Sequence, residues 1–180
     1  RRADTLARLP LVDPAGLHPL QLPDAARAAL DRRVRACDRL TRQAADHKRR
    51  IKGLVRQLLP ASPLVGELGQ ADLAVLARWA DPKALVAVGR ARLQRVLASA
   101  SAGQQGTQRA EQWLAAAHAA LELYGDHSAI AFQALAAEVH SEVRLLRATQ
   151  AELAAHARER EACYRRVDPA ALARSLPGLA

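Results

Sequence analysis

Arg35, Arg42, Arg49 and Arg56 recur every seven residues, and a helix brings such positions round to one side, about 10.5 Å apart. A guanidinium offers a fork of donors that matches phosphate oxygens, so a file of them can hold a phosphodiester backbone. Arg50 and Lys52 lie in the same stretch, "HKRRIKGLVRQLLP". They complete a candidate nucleic-acid-binding set of Arg35, Arg42, Arg49, Arg50, Lys52 and Arg56. The other use of such charge is a solvated flank that keeps a coiled coil soluble. Acids farther along the chain (Glu138, Glu142, Glu152, Glu159 and Glu161) could neutralise part of the file.

The charge is concentrated where the file lies. The 180 residues carry a net charge of +9. Residues 24–59 hold 11 basic residues against four acids, a net of +7, which leaves +2 for the other 144 residues. Such a balance implies acidic partners. Of the 27 basic residues 24 are Arg; that bias suits phosphate binding, and a GC-rich genome would produce it too.

Other chemistry finds no support. His18, His47, His118, His127, His140 and His156 are scattered, without metal-ligand spacing to a Cys or carboxylate. Glu138 and Glu142 stand four apart with no third ligand, so a solvated helix face is expected of them. Cys37 and Cys163 fit no metal pattern and read as two reduced thiols. There is no Gly-rich phosphate loop and no nucleophile elbow. No catalytic residue, metal site or cofactor is therefore expected within this chain. No apolar run approaches the roughly 20 residues a bilayer requires, so no membrane partner is expected.

The elements that must position the file follow from punctuation and period. Residues 1–23 hold four prolines and a glycine and read as a connector after a short helix. Residues 24–59 contain no Pro and one Gly, Gly53, which predicts a helix of about 54 Å with Asp24 as N-cap. Its apolar positions predict a coiled-coil seam of Leu30, Cys37, Ala44, Ile51 and Leu58. A second row of Val34, Thr41, Lys48 and Val55 has Thr41 and Lys48 as weak points. After Pro60, shorter helices are expected over 71–80, 82–88, 90–100 and 105–124, with Trp79 and Trp113 as core anchors. A second long helix is expected over 126–167, with Phe132, Val139, Leu146 and Leu153 as its seam, and a short helix starts at Asp168-Pro169. Alanine and leucine supply most apolar surface, which is helix material.

The predicted fold is all-α: two long helices forming a coiled-coil-like antiparallel pair, with an inserted bundle of shorter helices. Its segments are 1–23, 24–59, 60–125, 126–167 and 168–180.

Several stretches resemble one family. "ADTLARLP" is similar to the end of the RuvC-like nuclease domain of the insertion sequence 110 transposases, the Piv/MooV-related DNA recombinases. "ALDRRVRACDRLTRQAADHKRRIKGLVRQLLP" with "GELGQADLAVLARWADPKAL" resembles their basic helix and central segment. "ARSLPGLA" resembles the entry into their C-terminal transposase domain. The resemblance implies a central helical region of a bacterial DNA transposase, cytoplasmic and nucleoid-associated, in which protomers assemble through the long helices. It also implies DNA and a structured guide RNA as partners, and Mg²⁺ in the RuvC-like domain of the parent protein. The departures matter. Arg2 falls where the family has an aspartate, Asp4 could substitute only with a one-residue gap, and Ser175 is not the expected nucleophile. The chain is thus expected to lack the catalytic acids and serine, as a piece of something longer. The alternative is a purely structural coiled-coil dimerisation module with a solubilising basic face.

Overall fold

In the computed structural model, residues 23–125 and 130–170 are described. Among them the fold is all-α, with six helices: α1 (Ala25–Leu58), α2 (Gln70–Leu76), α3 (Pro82–Val88), α4 (Arg90–Ala100), α5 (Thr107–Tyr124) and α6 (Phe132–Val167). The expectations for Arg2, Asp4, His18, His127, Ser175 and the segments 1–22 and 171–180 lie outside the described residues.

α1 forms where the sequence predicts it. Asp24 accepts a hydrogen bond from Arg27 N at 2.8 Å, satisfying one orphan donor of the first turn. At the other end the Leu59 N–H closes on Val55 O at 2.7 Å, and Pro60, which has no N–H, ends the helix. α6 starts later than the expected 126–167: Ile130 and Ala131 are non-helical and Phe132 is the first helical residue. Here Tyr124 meets Phe132 edge to face at 5.7 Å. The Tyr124 hydroxyl donates to Gln57 O at 3.0 Å, so the chain re-enters beside the last turn of α1. α2 ends at Leu76 and not at residue 80. Arg78 N and Trp79 N turn back onto Val75 O, and Asp81 adopts the extended backbone that its place before Pro82 demands. Asp81 then caps α3 by accepting from Lys83 N at 2.8 Å. Gly89 joins α3 to α4 at φ 73°, a conformation side-chain-bearing residues avoid.

The two long helices pack together and run antiparallel. Arg33 meets Glu159 and His156, whereas His47 meets Glu142, so partner numbers fall as α1 numbers rise. The first predicted row is confirmed along most of its length: Cys37, Ala44, Ile51 and Leu58 are buried and Leu30 is half-buried. On α6, Val139 and Leu146 are buried, with Phe132 and Leu153 half-buried.

The second predicted row holds in its later half, where Val55 is fully buried and Lys48 half-buried, and fails in its earlier half. Val34 is 46% exposed and Thr41 is also exposed. Arg33, Leu40, His47 and Leu54, each one residue earlier, are all half-buried. Together with Leu30, Cys37, Ala44, Ile51 and Leu58 they give the alternating three-and-four spacing of a coiled-coil seam. Arg33 and His47 are held by partners on α6, which lets these polar groups sit in the seam while Val34 and Thr41 turn out of it.

The helices between α1 and α6 close one core over one end of the pair. Leu58, Leu59, Leu73, Leu76, Leu85, Leu93, Leu97, Trp113, Val139 and Leu146 are all fully buried in it. Each such side chain contributes about 1.5–3 kcal/mol relative to exposure. Beyond this end burial thins. No described residue of α1 before Cys37 is buried, and none of α6 after Leu146.

Candidate nucleic-acid interface

α1 carries the predicted basic set on more than one side. Arg35, Arg42 and Arg49 form an exposed file whose side chains are 77–78% accessible, and Arg56, also exposed, continues it. They lie away from the seam because their seven-residue period matches the seam's own. Arg50 leans toward α6, with Nη1 3.6 Å from Glu142 Oε1. Lys52 turns elsewhere and donates to Gly66 O in the loop after α1. The structure thus brings Arg35, Arg42, Arg49 and Arg56 into one line, with Arg50 beside it, and does not bring Lys52 into that line.

The neutralising acids are not mainly those of α6. Arg35 Nη2 is 2.9 Å from Asp31 Oδ2, and Arg42 Nη2 is 2.6 Å from Asp38 Oδ2. Arg49 pairs with Asp46. All three acids belong to α1, one turn before their arginines, and both members of each pair face solvent. Such pairs contribute only about 0.3–0.5 kcal/mol each, so a phosphate can displace the acid. Arg56 has no acidic partner among the described residues. Of the α6 acids, Glu142 meets Arg50, Glu159 meets Arg33 and Glu161 meets Arg165.

Gly53 interrupts the same outer side. It is exposed, and a Cβ built on it would meet nothing within 4 Å. A glycine inside a helix costs about 1 kcal/mol relative to alanine, and no packing here offsets it.

Two polar layers fix how α1 lies on α6. His47 Nδ1–H donates to Glu142 Oε2 at 2.6 Å, with both side chains mostly buried. Two heptads away, Arg33 Nη1 donates to His156 Nδ1 at 3.1 Å and to Glu159 Oε2 at 2.6 Å. Sliding either helix by one turn would separate both layers and leave half-buried polar groups unpaired, so they specify register.

A further charged group escapes sequence reasoning. Asp72 of α2 is 2% exposed and receives Arg109 in a two-pronged pair, Nε to Oδ1 at 2.9 Å and Nη2 to Oδ2 at 2.8 Å. Trp113 Nε1 donates to the same Oδ1 at 3.0 Å. This knot ties α2 to α5, and Trp113 is the core anchor expected of it. Trp79 is only half-buried, beneath the Arg92 guanidinium 5.5 Å from its ring centroid.

Among the described residues no group of three or more His, Cys, Asp or Glu side chains could hold a metal ion. No described helix is long and apolar enough to cross a membrane. The chemistry on view is a cationic helix surface, laid out in a line along the α1–α6 pair. In comparisons with protein-family models, curated proteins and solved structures, no match to this chain was found.

Proposed function

We propose that this chain is the central helical region of a DNA transposase or recombinase resembling the insertion sequence 110 family. In this reading the α1–α6 pair assembles protomers, and the outer side of α1 contacts the phosphate backbone of DNA and of a structured guide RNA during transposition. The observation that carries the nucleic-acid part is the exposed file of Arg35, Arg42, Arg49 and Arg56, on the helix segment that holds +7 of the chain's +9. In that family the catalytic steps, and the Mg²⁺ they use, are carried by the RuvC-like and C-terminal transposase domains.

A second reading has its own observation. The Asp31, Asp38 and Asp46 pairs already occupy three of the four arginines, which suits a structural dimerisation module whose basic side only keeps it soluble. Salt-dependent binding separates the two. Each phosphate contact to duplex DNA contributes about 0.9 to the slope of log affinity against log salt. Replacing Arg35, Arg42, Arg49 and Arg56 by Gln is expected to lower that slope by about 3 to 4. Equal affinity and an unchanged slope for the quadruple variant would remove the nucleic-acid role.

A further inference from the structure

Gly53 is the one glycine of α1. Its backbone is ordinary helix and its surroundings are open, so neither conformation nor packing asks for the missing side chain. It weakens the helix without a structural return, which points to something outside the fold that needs the space.

The neighbours of Gly53 identify the occupant. On a helix, the surface round a residue is covered by the positions three and four before and after it. Here these are Arg49, Arg50, Arg56 and Gln57, three guanidinium groups and an amide around a patch of bare backbone. Arg49, Arg56 and Gln57 are exposed, and the Arg50 side chain is 65% exposed. Across the adjoining groove, Glu138, Ser141 and Glu142 of α6 form the other bank. Its carboxylates keep an anion on the outward side of Gly53, over the arginine file.

We propose that a phosphodiester strand lies directly over Gly53. Arg49, Arg50 and Arg56 donate to its phosphate oxygens and Gln57 to phosphate or sugar oxygens. The absent side chain lets the sugar–phosphate chain come into contact with the helix backbone. Phosphate takes Arg49 from Asp46 and Arg50 from Glu142; the first pair is exposed at both ends and the second spans 3.6 Å. This inference rests on the nucleic-acid reading and narrows it to one point of the helix. Duplex DNA and structured RNA share the backbone chemistry, and the two arms of the test tell them apart.

The test compares Gly53→Ala and Gly53→Leu with the unmodified chain. It measures thermal unfolding, and binding to a short duplex DNA and to a hairpin RNA over a range of salt. Both variants are expected to unfold at a higher temperature, because each residue suits a helix better than glycine and the site is open. Both are expected to bind more weakly, Leu more than Ala, and Gly53→Leu to lose about one unit of salt slope for each guanidinium lifted off its phosphate. Weakening in only one arm assigns the strand to DNA or to RNA. If Gly53→Leu binds both probes as the unmodified chain does, while the quadruple arginine variant binds less, the inference falls and the broader reading stands. If the unmodified chain binds neither probe, both fall. If Gly53→Leu alters sedimentation and leaves binding unchanged, a helix of a second copy covers Gly53 and the inference is overturned.

Discussion

Replacing Asp31, Asp38 and Asp46 together by Asn should tighten nucleic-acid binding while loosening the fold, and the two effects share one cause. Each acid holds an arginine of the file from the preceding turn, with between 48% and 56% of its own side chain exposed. Exposed helix pairs of this kind contribute about 0.3–0.5 kcal/mol each, so the three amount to about 1–1.5 kcal/mol. In the unmodified chain a phosphate must first displace those acids. In the variant it need not, and at about 1.4 kcal/mol per tenfold the affinity should rise about five- to twelvefold. The net charge of residues 24–59 also rises from +7 to +10, adding attraction that fades with salt. The same lost pairs lower folding stability by up to the same amount, about 2–6 °C in melting temperature for a chain of this size. Fluorescence anisotropy with labelled duplex DNA and hairpin RNA at low salt reads the first effect, and circular dichroism melts read the second. Unchanged or weaker binding by a variant that still melts cooperatively would refute the argument. A purely solubilising face predicts the stability loss without any gain in binding.

The buried knot in α2 gives an independent check on the fold. Asp72→Ala strands Arg109 and the Trp113 indole N–H without their acceptor, and should cost about 3–5 kcal/mol in denaturant unfolding; a loss under 1 kcal/mol would show that the pair is dispensable. The two thiols should differ in reactivity toward a soluble thiol reagent. Cys37 is 5% exposed in the seam and Cys163 is half-buried near the far end of α6, so Cys163 should be modified first. Equal rates would mean that the far part of the pair opens as a whole.

The sequence made the long helices legible because Pro and Gly are scarce within them and Asp24 and Pro60 mark the ends of α1. The row from Cys37 to Leu58 was legible because its members are apolar or small. The neighbouring row is legible at Val55, which is fully buried, and misleads at Val34, whose hydrophobicity alone favours it. The seam positions Arg33 and His47 are polar and acquire their place only from Glu159, His156 and Glu142, roughly a hundred residues away. Asp72 reads as an ordinary first-turn acid for the same reason: its partner Arg109 comes 37 residues later. The arginine file was visible from its spacing alone, and so were Asp31 and Asp38, each four residues before an arginine. These local acids take the arginines of the file, and of the α6 acids only Glu142 reaches the basic set, at Arg50. Gly53 was visible only as the one break in a Pro-free run; its openness needed the structure.

The insertion has a consequence for the order in which the chain folds. Leu58 and Phe132, the two ends that the long pair must bring together, are separated by a stretch far longer than any hairpin turn. Closing a flexible loop of that size would add to an entropic cost that grows with the logarithm of its length. The contacts among α2, α3, α4 and α5, by contrast, join helices one or two elements apart along the chain, the shorter-range kind expected to form early. Once they have formed, Tyr124 on Gln57 and against Phe132 holds the end of α1 beside the start of α6. α1 and α6 are then expected to zip outward from that end, with His47–Glu142 aligning before Arg33–His156, so that a pair whose far end buries little can still close in a single register.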